Sequence, residues 1–80
     1  MKLYYYKAIK KIDATALIEL LQKEILFEEF EIINVYETNN IIYIITSRND
    51  LMEEIENLYP EVFMPTELPL PHGNVIFSIK

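Results

Sequence analysis

Three groups of side chains in this 80-residue chain are of types that do chemistry: one histidine, two runs of glutamate, and a set of lysines near the start. His72 stands in Pro71-His72-Gly73-Asn74 and is the only histidine. An imidazole that serves as general base or metal ligand needs a second group to hold its ring, and no partner is identifiable in the sequence. It reads as a loop residue. Glu28, Glu29 and Glu31, and then Glu53, Glu54 and Glu56, could bind a divalent cation or act as paired acids. Neither run has the alternating Asp/Asn spacing and glycine turn of a calcium loop. They read as solvated faces suited to a basic partner surface, so no catalytic residue, metal site or cofactor is expected. Lys7, Lys10 and Lys11 could collect an anion near the start of the first helix, although lysines at a strand end are commonly plain surface charge.

Composition narrows the chemistry further. Cysteine is absent, which removes disulfides, thiolate ligands and a cysteine nucleophile and fits a reducing cytosol. Gly73 is the only glycine, so the chain has no phosphate-cradling loop and no dinucleotide fingerprint. The net charge is -6, with Lys2, Lys7, Lys10, Lys11 and Lys23 early and nearly all carboxylates after them. That balance disfavours direct nucleic-acid binding, because phosphate contacts need Lys and Arg. With 51% hydrophobic and 25% charged residues, the chain is expected to form a single globular domain over residues 1–80. Neither a signal peptide nor a run of about 20 apolar residues is present, so a cytoplasmic protein without a membrane span is expected. Isoleucine is the commonest residue, a bias of AT-rich genomes such as those of low-GC bacteria and their phages.

The elements that must position these groups follow from periodicity. Residues 2 to 9 are β-branched and aromatic with lysine at intervals, and predict a first strand. Asp13 is a candidate N-cap, and Ala14, Leu17, Leu21 and Ile25 recur at spacings of three and four, predicting a helix to about Glu28. Residues 30–37 and 41–46 predict two strands joined by a two-residue turn at Asn39-Asn40, since Asn tolerates positive φ. That turn sets Tyr36 opposite Tyr43, Val35 opposite Ile44 and Ile33 opposite Thr46. Ser47 is the candidate N-cap of a second helix, with Asp50 in capping-box position and Leu51, Ile55 and Leu58 as its stripe, stopped by Pro60. Residues 60–73 read as a proline-punctuated loop, and 75–79 as the last strand.

The expected order is βαββαβ, a ferredoxin-like α+β fold with a four-stranded antiparallel sheet and two helices on one face. In that fold Ile41-Ile42-Tyr43-Ile44-Ile45 is informative, because a strand with one face in water should alternate and this one is apolar throughout. Ile33, Val35, Ile42 and Ile44 take the helix side. Ile32, Asn34, Tyr36, Ile41, Tyr43 and Ile45 take the other. The first strand admits two phases: with Leu3, Tyr5 and Ile9 inward, Tyr4 and Tyr6 join the open face, whereas the opposite phase keeps Lys7 out of the core. An aromatic-bearing open sheet resembles the RNA-recognition motif at fold level, but the glycine and basic residues of that signature are missing.

The expected function is therefore a small acidic, non-enzymatic protein-binding module. Its candidate partner surface on the open face is Tyr4, Tyr6, Ile32, Tyr36, Ile41, Tyr43 and Ile45, available to a partner or to a second copy in a homodimer. The acidic candidates are the six glutamates above, suited to a partner with a basic surface. One concrete form is a phage or mobile-element inhibitor of a host nucleic-acid-handling defence system, anti-CRISPR-like or a DNA mimic. The alternative is a ferredoxin-like small-molecule or anion-binding, or hydrolytic, domain built on Lys7, Lys10 and Lys11.

Overall fold

The computed structural model describes residues 2–67 and 74–79. Helix α1, Ala14–Lys23, starts where the sequence expects it: Asp13 is extended, and its carboxylate accepts the Thr15 backbone N–H at 3.0 Å. Leu17 and Leu21, one turn apart, are fully buried. The helix stops at Lys23 rather than near Glu28. In the segment that follows, the Leu26 carbonyl accepts from Arg48 Nη1 at 2.6 Å. Ile25 still reaches the core, from a non-helical segment.

Strands β2, Ile33–Thr38, and β3, Ile41–Thr46, form the expected hairpin. Asn39 and Asn40 take φ of 52° and 65°, the paired left-handed conformation that matches strand twist in a two-residue turn. The register places Tyr36 against Tyr43, Val35 against Ile44 and Ile33 against Thr46. On one face Ile33, Val35, Ile44 and Thr46 are wholly buried and Ile42 nearly so.

Strand β1, Tyr4–Ala8, runs antiparallel to β3 with Tyr4 opposite Thr46, Tyr6 opposite Ile44 and Lys7 opposite Tyr43. Directly paired residues share a face, so Tyr4, Tyr6 and Ala8 point to the helix side and Tyr5 and Lys7 to the other. This corrects the expected placement of Tyr4 and Tyr6 on the open face. The reason is the cost of the alternative: an inward Lys7 would bury an ammonium without a partner.

Helix α2, Leu51–Glu56, buries Leu51 and Ile55. Ser47 is not its N-cap. Asp50 holds that position without a side-chain cap bond, because its carboxylate is taken by Arg48, while Ser47 Oγ accepts the Ile32 N–H at 2.9 Å. The helix ends four residues before Pro60, leaving Leu58 exposed and Tyr59 packed on the core. Glu61 then adopts φ of 57°, and its N–H donates to the Glu56 carboxylate at 3.1 Å.

The expected loop beyond Pro60 contains a strand. Val62 is buried, its carbonyl accepts from the Ile9 N–H at 2.7 Å, and β4, Phe63–Pro65, pairs antiparallel with β1. The last strand, β5, Asn74–Ile79, pairs with β2 rather than standing beside β1. The result is one five-stranded antiparallel sheet of order β4-β1-β3-β2-β5, where four strands are expected from the sequence. Leu17, Leu21, Leu51 and Ile55 join Ala8, Ile33, Val35, Ile42 and Ile44 in one cluster, so both helices lie on the same face of an α+β domain. Among the described residues no helix is long and apolar enough to cross a membrane.

Candidate functional site

The face of the sheet away from the helices is built by the same alternation that builds the core. Following the pairing across all five strands, Val75, Tyr36, Tyr43, Lys7 and Met64 stand in one row. Ser78, Asn34, Ile45 and Tyr5 make the next, with Ser78 Oγ donating to Asn34 Oδ1 at 2.6 Å. Ile41 sits opposite Thr38 at the turn end. Val75 and Met64 at the two edges are 54% and 44% exposed, while the tyrosines and isoleucines between them are half-buried by their neighbours in the sheet.

Four of the expected face residues are thus brought together: Tyr36, Ile41, Tyr43 and Ile45. Ile32 precedes β2, with its backbone fastened to Thr46 and Ser47. Tyr4 and Tyr6 belong to the other side. Tyr6 packs on the core, and burial, with a smaller effect of Tyr4, pushes its phenol above the ordinary range. Tyr4 carries the Lys2 ammonium 5.4 Å over its ring. Met64 and Val75 are face residues that the sequence did not single out, and Tyr5 and Lys7 join them through the second phase admitted for the first strand. Alternation admits both phases of the first strand, and pairing with β3 selects the one that turns Tyr5 and Lys7 to this face. Of the expected loop 60–73, residues 63–65 form the edge strand β4, and 68–73, with His72, lie outside the described residues.

The glutamate runs are drawn together by a residue that the sequence reading did not single out. Arg48 is the only arginine, and its side chain is 18% exposed. Its Nε donates to Asp50 at 2.9 Å, its Nη2 meets Glu54 at 2.9 Å, and Glu31 lies at 4.0 Å. The guanidinium also lies 5.4 Å over the Phe27 ring, and the Arg48 N–H donates to Thr46 Oγ1, which donates to the Ile32 carbonyl. Burial lowers the pKa of Arg48, but the hydrogen bond to Asp50 and the charges of Glu54, Asp50 and Glu31 outweigh it and hold the group firmly charged. Glu31 additionally accepts the Glu28 N–H at 2.7 Å. Glu31, Glu54 and Glu56 therefore have structural tasks. Glu28, Glu29 and Glu53 remain exposed and form no ion pair among the described residues.

The lysines do converge. Lys7, Lys10 and Lys11 line an open cleft of about 420 Å³ with Ala8, Ile9, Asn40 and Ile41. None of the three forms an ion pair among the described residues. The helix end that was expected to assist them is already served, because Asp13 caps it with a carboxylate. Among the described residues, no group of three or more acidic or histidine side chains is arranged as a metal ion would need, and every buried side-chain polar atom has a partner. Comparisons with protein-family models, curated proteins and solved structures found no match to this chain.

Proposed function

We propose that this chain is a non-enzymatic protein-binding module that docks through the helix-free face of its sheet. The observation that carries this reading is the row Val75, Tyr36, Tyr43, Lys7 and Met64, which runs over all five strands and has neither helix above it. Tyrosine supplies a large contact area at low entropic cost and suits a surface that must be soluble when free. Five strands at about 4.8 Å spacing, three to six residues in length, give a face of roughly 400 Å², half of what each side of a standard interface buries. Rim residues must contribute. The lysine cleft, which shares Lys7 and Ile41 with the face, is one such rim.

The first six elements run in βαββαβ order, and we read the domain as ferredoxin-like with β5 added outside β2. Net charge of -6 favours approach to a basic partner surface. Its phage or mobile-element form, an inhibitor that mimics phosphates, rests on Glu28, Glu29 and Glu53, the acidic candidates without a structural task. The deciding experiment is capture of a partner by wild type and by Tyr43→Glu, with thermal unfolding of both. Loss of capture at an unchanged Tm supports the face. Retained capture removes it.

The convergence of Lys7, Lys10 and Lys11 on one cleft favours a second reading, an anion-binding domain. A thermal-shift panel of phosphorylated compounds separates the two, since a stabilisation that vanishes in the Lys10→Ala, Lys11→Ala double variant belongs to the cleft.

A further inference from the structure

The unpaired positive charge of this acidic chain is gathered in one place. Six cationic side chains lie among the described residues. Arg48 is committed to Asp50, Glu54 and Glu31, Lys23 stands 4.0 Å from Glu19, and the Lys2 ammonium lies over the Tyr4 ring. Lys7, Lys10 and Lys11 have no such partner among the described residues, and all three line the cleft between the β1–α1 link and the β2–β3 turn. Ammonium groups that converge without a counter-charge repel one another, a cost that an anion between them removes. No carboxylate is in the lining. At physiological salt, charges elsewhere on the chain are screened beyond about 8 Å, so the lining sets the sign of what the cleft attracts.

We infer that this cleft binds a small phosphomonoester with an apolar body, which gives the anion-binding reading, on which it rests, a definite ligand class. The head group follows from the donors. A carboxylate is best matched by the planar fork of arginine, and the chain's only arginine is engaged elsewhere, whereas lysines approach as separate point charges. A phosphomonoester offers them three acceptor oxygens and about -1.5 to -2 charges. The body follows from the wall. Ile9 is 53% exposed and lines the cleft with Ala8 and Ile41, an apolar surface that a bare phosphate ion would leave in water. The volume of about 420 Å³ falls among small-molecule sites, and a concave lining suits such a ligand better than a flat membrane does.

Calorimetric titration of the full chain with phenyl phosphate, inorganic phosphate and phenol tests it. Phenyl phosphate should bind about tenfold more tightly than inorganic phosphate, and phenol should not bind. Affinity for phenyl phosphate should rise from about pH 5 to pH 7, as its second proton, with a pKa of about 6, is lost. Lys10→Ala with Lys11→Ala, both exposed positions, should weaken it about tenfold or more, while Lys23→Ala, on α1 beside Glu19, should not. Ile9→Ser should abolish most of the preference for phenyl phosphate over the bare ion. Equal binding of the two ions, with Ile9→Ser neutral, overturns the inference and leaves the anion reading standing. Binding of neither ion removes both. Attachment of the chain to phosphatidylserine-containing vesicles without binding of phenyl phosphate also overturns it, since the lysines would then serve a lipid surface.

Discussion

Two faces of one sheet, built from alternate residues of the same strands, have opposite fates. Ile42 and Ile44 are buried to within 4% of completely, while Ile41 and Ile45, their chain neighbours and chemical equals, are half-buried with no helix above them. Residue type does not separate them. What separates them is that α1 and α2 deliver Leu17, Leu21, Leu51 and Ile55 to one side only. Stability is therefore concentrated on the helix side, at about 25 cal/mol for each Å² of apolar surface removed from water. The other side has no helix above it among the described residues.

The contrast can be broken by substitution. Ile44→Ala should have the largest effect, a loss of about 2–5 kcal/mol in denaturant unfolding, because it leaves a cavity among fully buried neighbours. A loss below about 1 kcal/mol would mean the helix side is not the close-packed one. Arg48→Ala comes next, at roughly 1–2 kcal/mol, since it removes several part-exposed contacts at once, to Asp50, Glu54 and the Leu26 carbonyl. The measurement is again denaturant unfolding, and sensitivity to salt should fall in the variant. Tyr43→Ala, on the helix-free face, should cost no more than about 1 kcal/mol while lowering partner capture sharply; a core-sized loss would place Tyr43 in the folding core instead.

The smallest effect concerns the alkaline limb. Burial, helped by Tyr4, raises the Tyr6 pKa, and burial, helped by Asp13, raises that of Tyr59. Both phenols ionise more readily in the unfolded chain than in the folded one. Their contribution is thus complete below the ordinary phenol value of about 10 and is lost as pH rises through the higher folded values. Stability followed against pH should fall above that point, and Tyr6→Phe should make the fall shallower. An unchanged slope would put Tyr6 in water and return β1 to the opposite phase.

Local chemistry was legible in the chain itself. The Asn39-Asn40 turn, the hairpin register and the Asp13 cap each depend on residues a few positions apart, whose φ preferences and hydrogen-bonding reach do not need the rest of the molecule. The split of Ile41 through Ile45 into two faces follows from that register. Other features depended on long-range partners. Tyr4 and Tyr6 turned inward because Lys7 had to stay out, a choice made only when β1 docked on β3. Ser47 lost its cap role to the Ile32 N–H, 15 residues away, and the segment after α1 is fastened through its Leu26 carbonyl to Arg48, 22 residues away. No window along the sequence contains both members of such pairs.

Sequence alone thus determined an acidic α+β chain with two helices, a hairpin of known register and an apolar strand whose alternate residues take two faces, because periodicity and turn chemistry act within a few residues. Tertiary structure alone decided the phase of β1, the edge strand β4, the place of β5 outside β2 and the gathering of carboxylates at Arg48. Those depend on which backbone edges and charges meet in space, and such meetings are set by the packing of the whole chain.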